Sequence, residues 1–289
     1  MNRSRFILPG AVLGAVLFVL SCNAAELVYV PGFEVGIWVS PPPANYSKSW
    51  RSQGLGFNPT PQALRVINRN VYVGIGQPVP PISGYGLLLP GSGEEVPLAR
   101  GALPVINELD VPEGVVISAQ VEFVHGEDGA CVSESAPAVQ VPQGRAPLPV
   151  YRGLFPAGST VLTNEISMGN PALPATCATP NQQYLRRVNV TLFNGGDAPG
   201  TFVIRAMPRR RSSTPLLEMS VTLEPKEVRQ VNRLPIPIVV DDTTRYIGGV
   251  SVWLTVTCDQ PFVGYASALF DDPEPGALPF EVFAFKKGT

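Results

Sequence analysis

Proline and glycine are spread so evenly along this 289-residue chain that almost no window of a dozen residues escapes them. The sequence holds 32 prolines and 28 glycines. A proline inside a helix removes a backbone hydrogen bond and collides with the preceding turn, so this punctuation forbids long helices. What survives between the breakers is short, apolar and extended. Candidate strands are Glu26–Val30, Glu34–Val39, Ala63–Ile67, Val71–Ile75, Gly86–Leu89, Val115–Val124, Val188–Phe193, Thr201–Ala206, Leu216–Leu223, Val250–Thr257 and Phe262–Phe270. Val188-Asn189-Val190-Thr191-Leu192 alternates with period two, which suits a sheet with one wet face. The expected class is all-β, built as antiparallel sandwiches.

The first residues form a different kind of segment. Arg3 and Arg5 precede the apolar run Phe6 to Leu20, small residues follow, and the first acid is Glu26. That is the pattern of a secretory signal peptide over residues 1–25. The run is shorter than the ~20 residues a spanning helix needs. Val19-Leu20-Ser21-Cys22 resembles the lipobox of bacterial lipoproteins, which implies acylation of Cys22. Cleavage after Ala24 or Ala25 is the competing reading, and both stay open. Either way the expectation is an exported chain: periplasmic, held to the outer membrane by lipid, or secreted.

The rest of the chain reads as two copies. Gly56-Phe57-Asn58-Pro59-Thr60 and Leu192-Phe193-Asn194-Gly195-Gly196 each end an apolar strand in Phe-Asn and then turn. Leu103–Leu109 is matched to Arg229–Pro235, and Val115–Val124 to Val250–Thr257. Leu27–Gly32 is matched to Leu148–Gly153. The markers recur about 120–135 residues apart, the length of one sandwich. The division expected is one β-sandwich domain over 26–144 and a second over 145–289, joined at Pro142–Pro147. Asn58 and Asn194 read as hairpin caps, since Asn tolerates left-handed backbone and bonds its own chain two residues on.

At this corner the chain resembles the immunoglobulin-like β-sandwich repeats of exported bacterial proteins. Trp50-Arg51-Ser52-Gln53-Gly54-Leu55-Gly56-Phe57-Asn58 and Arg187-Val188-Asn189-Val190-Thr191-Leu192-Phe193-Asn194 carry the strand and turn, and Thr255–Val263 the hairpin. The first copy departs from the pattern at Gly126-Glu127-Asp128-Gly129. The resemblance implies an extracytoplasmic adhesion or scaffold module, with no catalytic residues to carry over.

Chemistry-bearing residues are sparse. His125 is the sole histidine, so a two-histidine metal site within one chain is ruled out. No nucleophile elbow, P-loop or dinucleotide fingerprint occurs. The expectation is no enzyme and no cofactor. Asp241-Asp242 and Asp271-Asp272-Pro273-Glu274 lack a ligand spacing and read as solvated loops. Net charge is -2, which gives no reason to bind nucleic acid. Arg209-Arg210-Arg211 form a basic hairpin tip, either a contact for an anionic partner or a charged edge guard. With Cys22 cleaved or acylated, three cysteines remain. The pairing expected in an oxidising compartment is Cys177–Cys258 with Cys131 free; Cys131–Cys177 is the alternative. Two roles follow: a non-enzymatic envelope or secreted scaffold binding a surface protein or polysaccharide, or a carbohydrate-binding or hydrolase-accessory module. The second would use Trp38, Tyr46 and Trp50 as stacking platforms.

Overall fold

The computed structural model describes residues 25–32, 34–39, 46–74, 85–99, 104–125, 145–168, 186–208, 214–237, 251–270 and 281–288. Among them the chain is strand and turn, with no helix, as the breaker pattern requires. The first ten strands are β1 (Ala25–Gly32), β2 (Glu34–Val39), β3 (Tyr46–Phe57), β4 (Leu64–Val73), β5 (Tyr85–Leu88), β6 (Gly93–Val96), β7 (Val105–Pro112), β8 (Val116–His125), β9 (Arg145–Leu148) and β10 (Tyr151–Arg152). The next ten are β11 (Thr160–Leu162), β12 (Ile166–Ser167), β13 (Arg186–Asn194), β14 (Gly200–Pro208), β15 (Leu217–Leu223), β16 (Val228–Val231), β17 (Ser251–Cys258), β18 (Phe262–Phe270), β19 (Glu281–Ala284) and β20 (Lys286–Lys287).

These strands make four antiparallel sheets. The first half contributes β10-β1-β7-β4-β5 and β2-β3-β8-β9, the latter extended by β6 beside β3. The second contributes β15-β14-β17-β11-β20, with β12 on β17, and β16-β13-β18-β19. In β14 and β17 alternate side chains turn inward: Phe202, Ile204 and Ala206 on one, Val252, Leu254, Val256 and Cys258 on the other. They meet Val188, Val190 and Leu192 of β13 in one core. Val28, Val66 and Leu109 meet Ile117 and Val121 in a second core, in a sandwich-like arrangement of facing sheets. Each large side chain buried there contributes about 1.5–3 kcal/mol.

The pairings in the two halves correspond. β3 pairs with β6 and β8 as β13 does with β16 and β18. β4 pairs with β5 and β7 as β14 does with β15 and β17. β1 lies between β7 and β10, and β11 between β17 and β20. The exception is β2, which pairs with β3, whereas β12 pairs with β17.

Several sequence expectations are corrected by these pairings. By its pairing β7 is the counterpart of β17, and β8 of β18, so Leu103–Leu109 does not correspond to Arg229–Pro235, nor Val115–Val124 to Val250–Thr257. Leu27–Gly32 and Leu148–Gly153 are neighbours, with Tyr29 opposite Tyr151 across β1 and β10. Ala63–Ile67 and Val71–Ile75, expected as two strands, fall on one where they are described: Leu64–Ile67 and Val71–Val73 both belong to β4, which has a bulge between Asn68 and Asn70. β9 and β10, placed by the sequence division in the second half, hydrogen-bond to β8 and β1.

Candidate binding surface and the contact between the halves

The two Phe-Asn corners have the same internal wiring. Asn58 is fully buried; its Nδ2 donates to the carbonyls of Gln62 (2.7 Å) and Leu88 (3.0 Å), and its Oδ1 accepts from Thr60 N (3.0 Å). Asn194, equally buried, donates to Ala198 O (2.9 Å), Leu223 O (3.1 Å) and Glu224 O (3.1 Å), and accepts from Gly196 N (3.0 Å). Their backbones grip the same kind of distant turn: Gly91 N donates to Asn58 O at 2.8 Å, and Lys226 N to Asn194 O at 2.9 Å. Gly91 and Lys226 both have left-handed backbone, at φ 68° and 61°. With every side-chain bond directed into the chain, these asparagines hold the fold and face no ligand.

Other candidate residues fall as follows. Arg209, Arg210, Arg211, Cys22, Cys131, Cys177, Asp241, Asp242, Asp271, Asp272 and Glu274 lie outside the described residues. His125 ends β8 opposite Lys48, and Trp38, Tyr46 and Trp50 occupy β2 and β3. Arg205 pairs with Glu218 at 2.7 Å on the exposed side of β14 and β15, where such a pair contributes little. Among the described residues no three His, Cys, Asp or Glu side chains gather as a metal site.

Cys258 is a free thiol sealed in the core that Phe202, Ile204 and Leu254 share with β13. Gln260 N donates to its Sγ at 3.4 Å, and burial pushes the thiol up to about 11. A protonated, inaccessible thiol is inert. In the native protein Cys258 should resist maleimide at pH 8, and label once the chain is unfolded without reductant. If labelling also demands reductant, a bridge such as Cys177–Cys258 is present, and non-reducing peptide mapping identifies it.

What the sequence reading missed is the outer face of β3 and β8. Ser52, Gly54 and Gly56 turn inward, which leaves Leu55 and Phe57 outward. Leu55 sits opposite Ser118 and Phe57 opposite Val116. Leu55, Phe57 and Val116 are all exposed. Beside them a groove of about 340 Å³ is lined by Gln53, Leu55, Ser118, Gln120 and Pro147. Gln120 Nε2 donates to Gln53 Oε1 across its floor at 3.1 Å. The Gly-Leu-Gly-Phe alternation was a legible signal for this face. A second exposed set lies on β4 and β5, where Tyr85 stands opposite Ile67 and holds the Arg65 guanidinium 4.8 Å from its ring centre.

Elsewhere an outward sheet face is covered by the other half of the chain. Tyr29, Tyr72 and Ile106, from the outer side of β1, β4 and β7, pack against Phe193, Val228 and Val263 of the second half. The Tyr72 and Phe193 ring centres are 4.5 Å apart. Val228 N donates to Gly74 O at 2.8 Å, and the Tyr151 hydroxyl accepts from Phe285 N at 3.0 Å. Glu108 is buried beside them, accepting from Asn70 Nδ2 (2.7 Å) and Tyr72 OH (3.1 Å). Burial raises all four tyrosines here: Tyr265 to about 12, and Tyr29, Tyr72 and Tyr151 further, with Glu108 adding to the shift at Tyr29 and Tyr72.

That direction sets a pH dependence. Folded values above the unfolded ~10 mean that the native state holds these protons more tightly. The stability they contribute is complete below pH ~10 and is lost as pH rises towards 12 and beyond. Melting temperature should be level from pH 8 to about 10 and then fall steeply. Tyrosinate absorbance from these four should appear with unfolding and not before it. Tyrosinate absorbance from all of the protein's tyrosines in a still-folded protein at pH 11 contradicts the burial.

Comparison with known proteins finds no matching family model and no matching curated protein. Among solved structures, the crystal structure of Thermotoga maritima 1070 is similar at a TM-score of 0.31 and 13% identity, over 47% of this chain and 100% of that one.

Proposed function

We propose that this is an exported, non-enzymatic protein of the bacterial envelope or its surroundings, built from two tandem immunoglobulin-like β-sandwiches and acting as a scaffold or adhesion-type binding module. The observation that carries the reading is the outer face of β3 and β8, where Leu55, Phe57 and Val116 are exposed beside a groove. Apolar side chains grouped on one face mark a contact site for a macromolecule. The corresponding pairings of the two halves and their similarly bonded asparagine corners support descent from one duplicated unit. The leader over residues 1–25 supports export, with Cys22 as the candidate lipid attachment. A pull-down from envelope fractions with wild-type and Leu55→Glu protein is the test: a partner lost with the variant supports the reading, and a partner retained by it removes this face.

Carbohydrate binding is the second reading, favoured by Tyr85, the most exposed large apolar side chain on the described sheets. An aromatic ring on an open sheet face suits stacking on a sugar. A glycan array decides it, with Tyr85→Ala as the control that must lose binding.

A further inference from the structure

The contact that joins the two halves has two exposed counterparts, one on each half. Strand register identifies them residue by residue. Phe193 of β13 faces Val263 on β18 and Val228 on β16; Phe57 of β3 faces Val116 on β8 and Gly93 on β6. Phe193 and Val263 are buried at 1% and 0% exposure, whereas Phe57 and Val116 stand at 46% and 53%. The first half therefore carries, open to solvent, the surface that the second half inserts.

The receiving surface has a counterpart too. Tyr29 faces Glu108 on β7 and Tyr151 on β10; Leu162 faces Thr255 on β17 and Lys286 on β20. Tyr72 faces Ile106 as Met207 faces Trp253. Tyr29 and Ile106 are buried by the contact, at 5% and 1%, while Leu162 and Trp253 are each 36% exposed. These are apolar side chains on the wet face of a sheet, at the positions that in the first half receive a neighbour.

We propose that the protein associates head to tail with further copies of itself, the Phe57–Val116 face of one molecule docking on the Leu162–Trp253 face of the next. The inference rests on the tandem-sandwich reading, because the interface inside the chain is its template. The two faces differ, so the contact is heterologous, and repetition gives an open chain or a ring and no closed symmetric dimer. Gly93 stands where Val228 packs, so the contact between molecules is weaker than the one within.

Sedimentation velocity on the purified protein tests this, from micromolar to near-millimolar concentration. The expected result is a weight-average mass that climbs past the dimer as concentration rises. Phe57→Glu and Trp253→Glu should each reduce the mass to that of a monomer. Each variant keeps one intact face, so an equimolar mixture should yield a one-to-one dimer that grows no further. Val116→Glu and Leu162→Glu form a second pair of variants if circular dichroism shows either of the first pair unfolded. A wild-type monomer at every concentration overturns the proposal, as does a mixture that stays monomeric or a dimer abolished by one variant and untouched by the other. Limited proteolysis separates this outcome from failure of the tandem reading: two resistant halves from a monomeric protein leave that reading standing.

Discussion

Asn194→Ala should destabilise the protein by about 3–4 kcal/mol, seen as a lower denaturation midpoint at unchanged slope. The side chain makes four hydrogen bonds from a site with no solvent exposure, to Ala198, Leu223, Glu224 and Gly196. Alanine leaves the Leu223 carbonyl buried and without its side-chain partner, the costly kind of deletion. Asn194→Asp is the sharper comparison. It keeps the acceptor for Gly196 N but sets a carboxylate oxygen against three carbonyls, so it should be no better than alanine. Asn58→Ala should cost about 2 kcal/mol, because its partners Thr60 and Gln62 lie where water can replace it. Equal costs at the two corners would contradict this ranking.

Phe193→Ala should cost about 3–5 kcal/mol and separate the melting of the two halves. The ring lies 4.5 Å from Tyr72 and 6.1 Å from Tyr29, on the outward side of its own sheet. Truncating it empties the contact between halves while Val190 and Leu192 keep their own core intact. The wild-type protein should show one transition with equal calorimetric and van't Hoff enthalpies, and the variant two transitions, whose summed calorimetric enthalpy exceeds the van't Hoff value of the whole profile. One unshifted transition in the variant would mean that Phe193 does not couple the halves.

Strands with alternating or continuous apolar residues were legible: Phe262–Phe270 is predicted to the residue, and β14, β15 and β17 to within two. β3 is marked in the sequence only by the Trp50–Asn58 resemblance and is absent from the candidate strands, because Tyr46–Phe57 mixes Ser, Lys, Arg, Gln and Gly, and its burial follows glycine instead of bulk. β7 was missed because Asn107 and Glu108 break its apolar pattern; both are buried polar groups satisfied by partners distant in sequence, such as Asn68, Val30 and Tyr72. Two-residue strands such as β10, β12 and β20 carry no periodic signal at all. The Phe-Asn corner was the one reliable marker of correspondence, because its hydrogen-bonding demands are local and chemical. The exposed face carries no rare residue type to mark it: Leu55, Phe57 and Val116 are ordinary residues on an unusual side of their strands.

A strand with glycine on its dry side and leucine and phenylalanine on its wet side has two competing registers. Sliding β3 by one residue against β8 would exchange the faces and bury Leu55 and Phe57. Area alone favours the slipped pairing, so hydrophobic burial cannot be what selects the native one. Shape selects it. A Cβ on Gly56 would lie 2.9 Å from Val96 and 3.0 Å from Leu88, and one on Gly54 would lie 3.0 Å from Leu98. Those three side chains already fill the space that a leucine or phenylalanine would need. The native register is therefore secured only after β5 and the segment from β6 to Leu98 have docked, and before that the nascent sheet is free to misalign. Folding of the first half should consequently be slower and more prone to aggregation than its content of short hairpins suggests, with Val96, Leu88 and Leu98 acting as the proofreaders of its central strand.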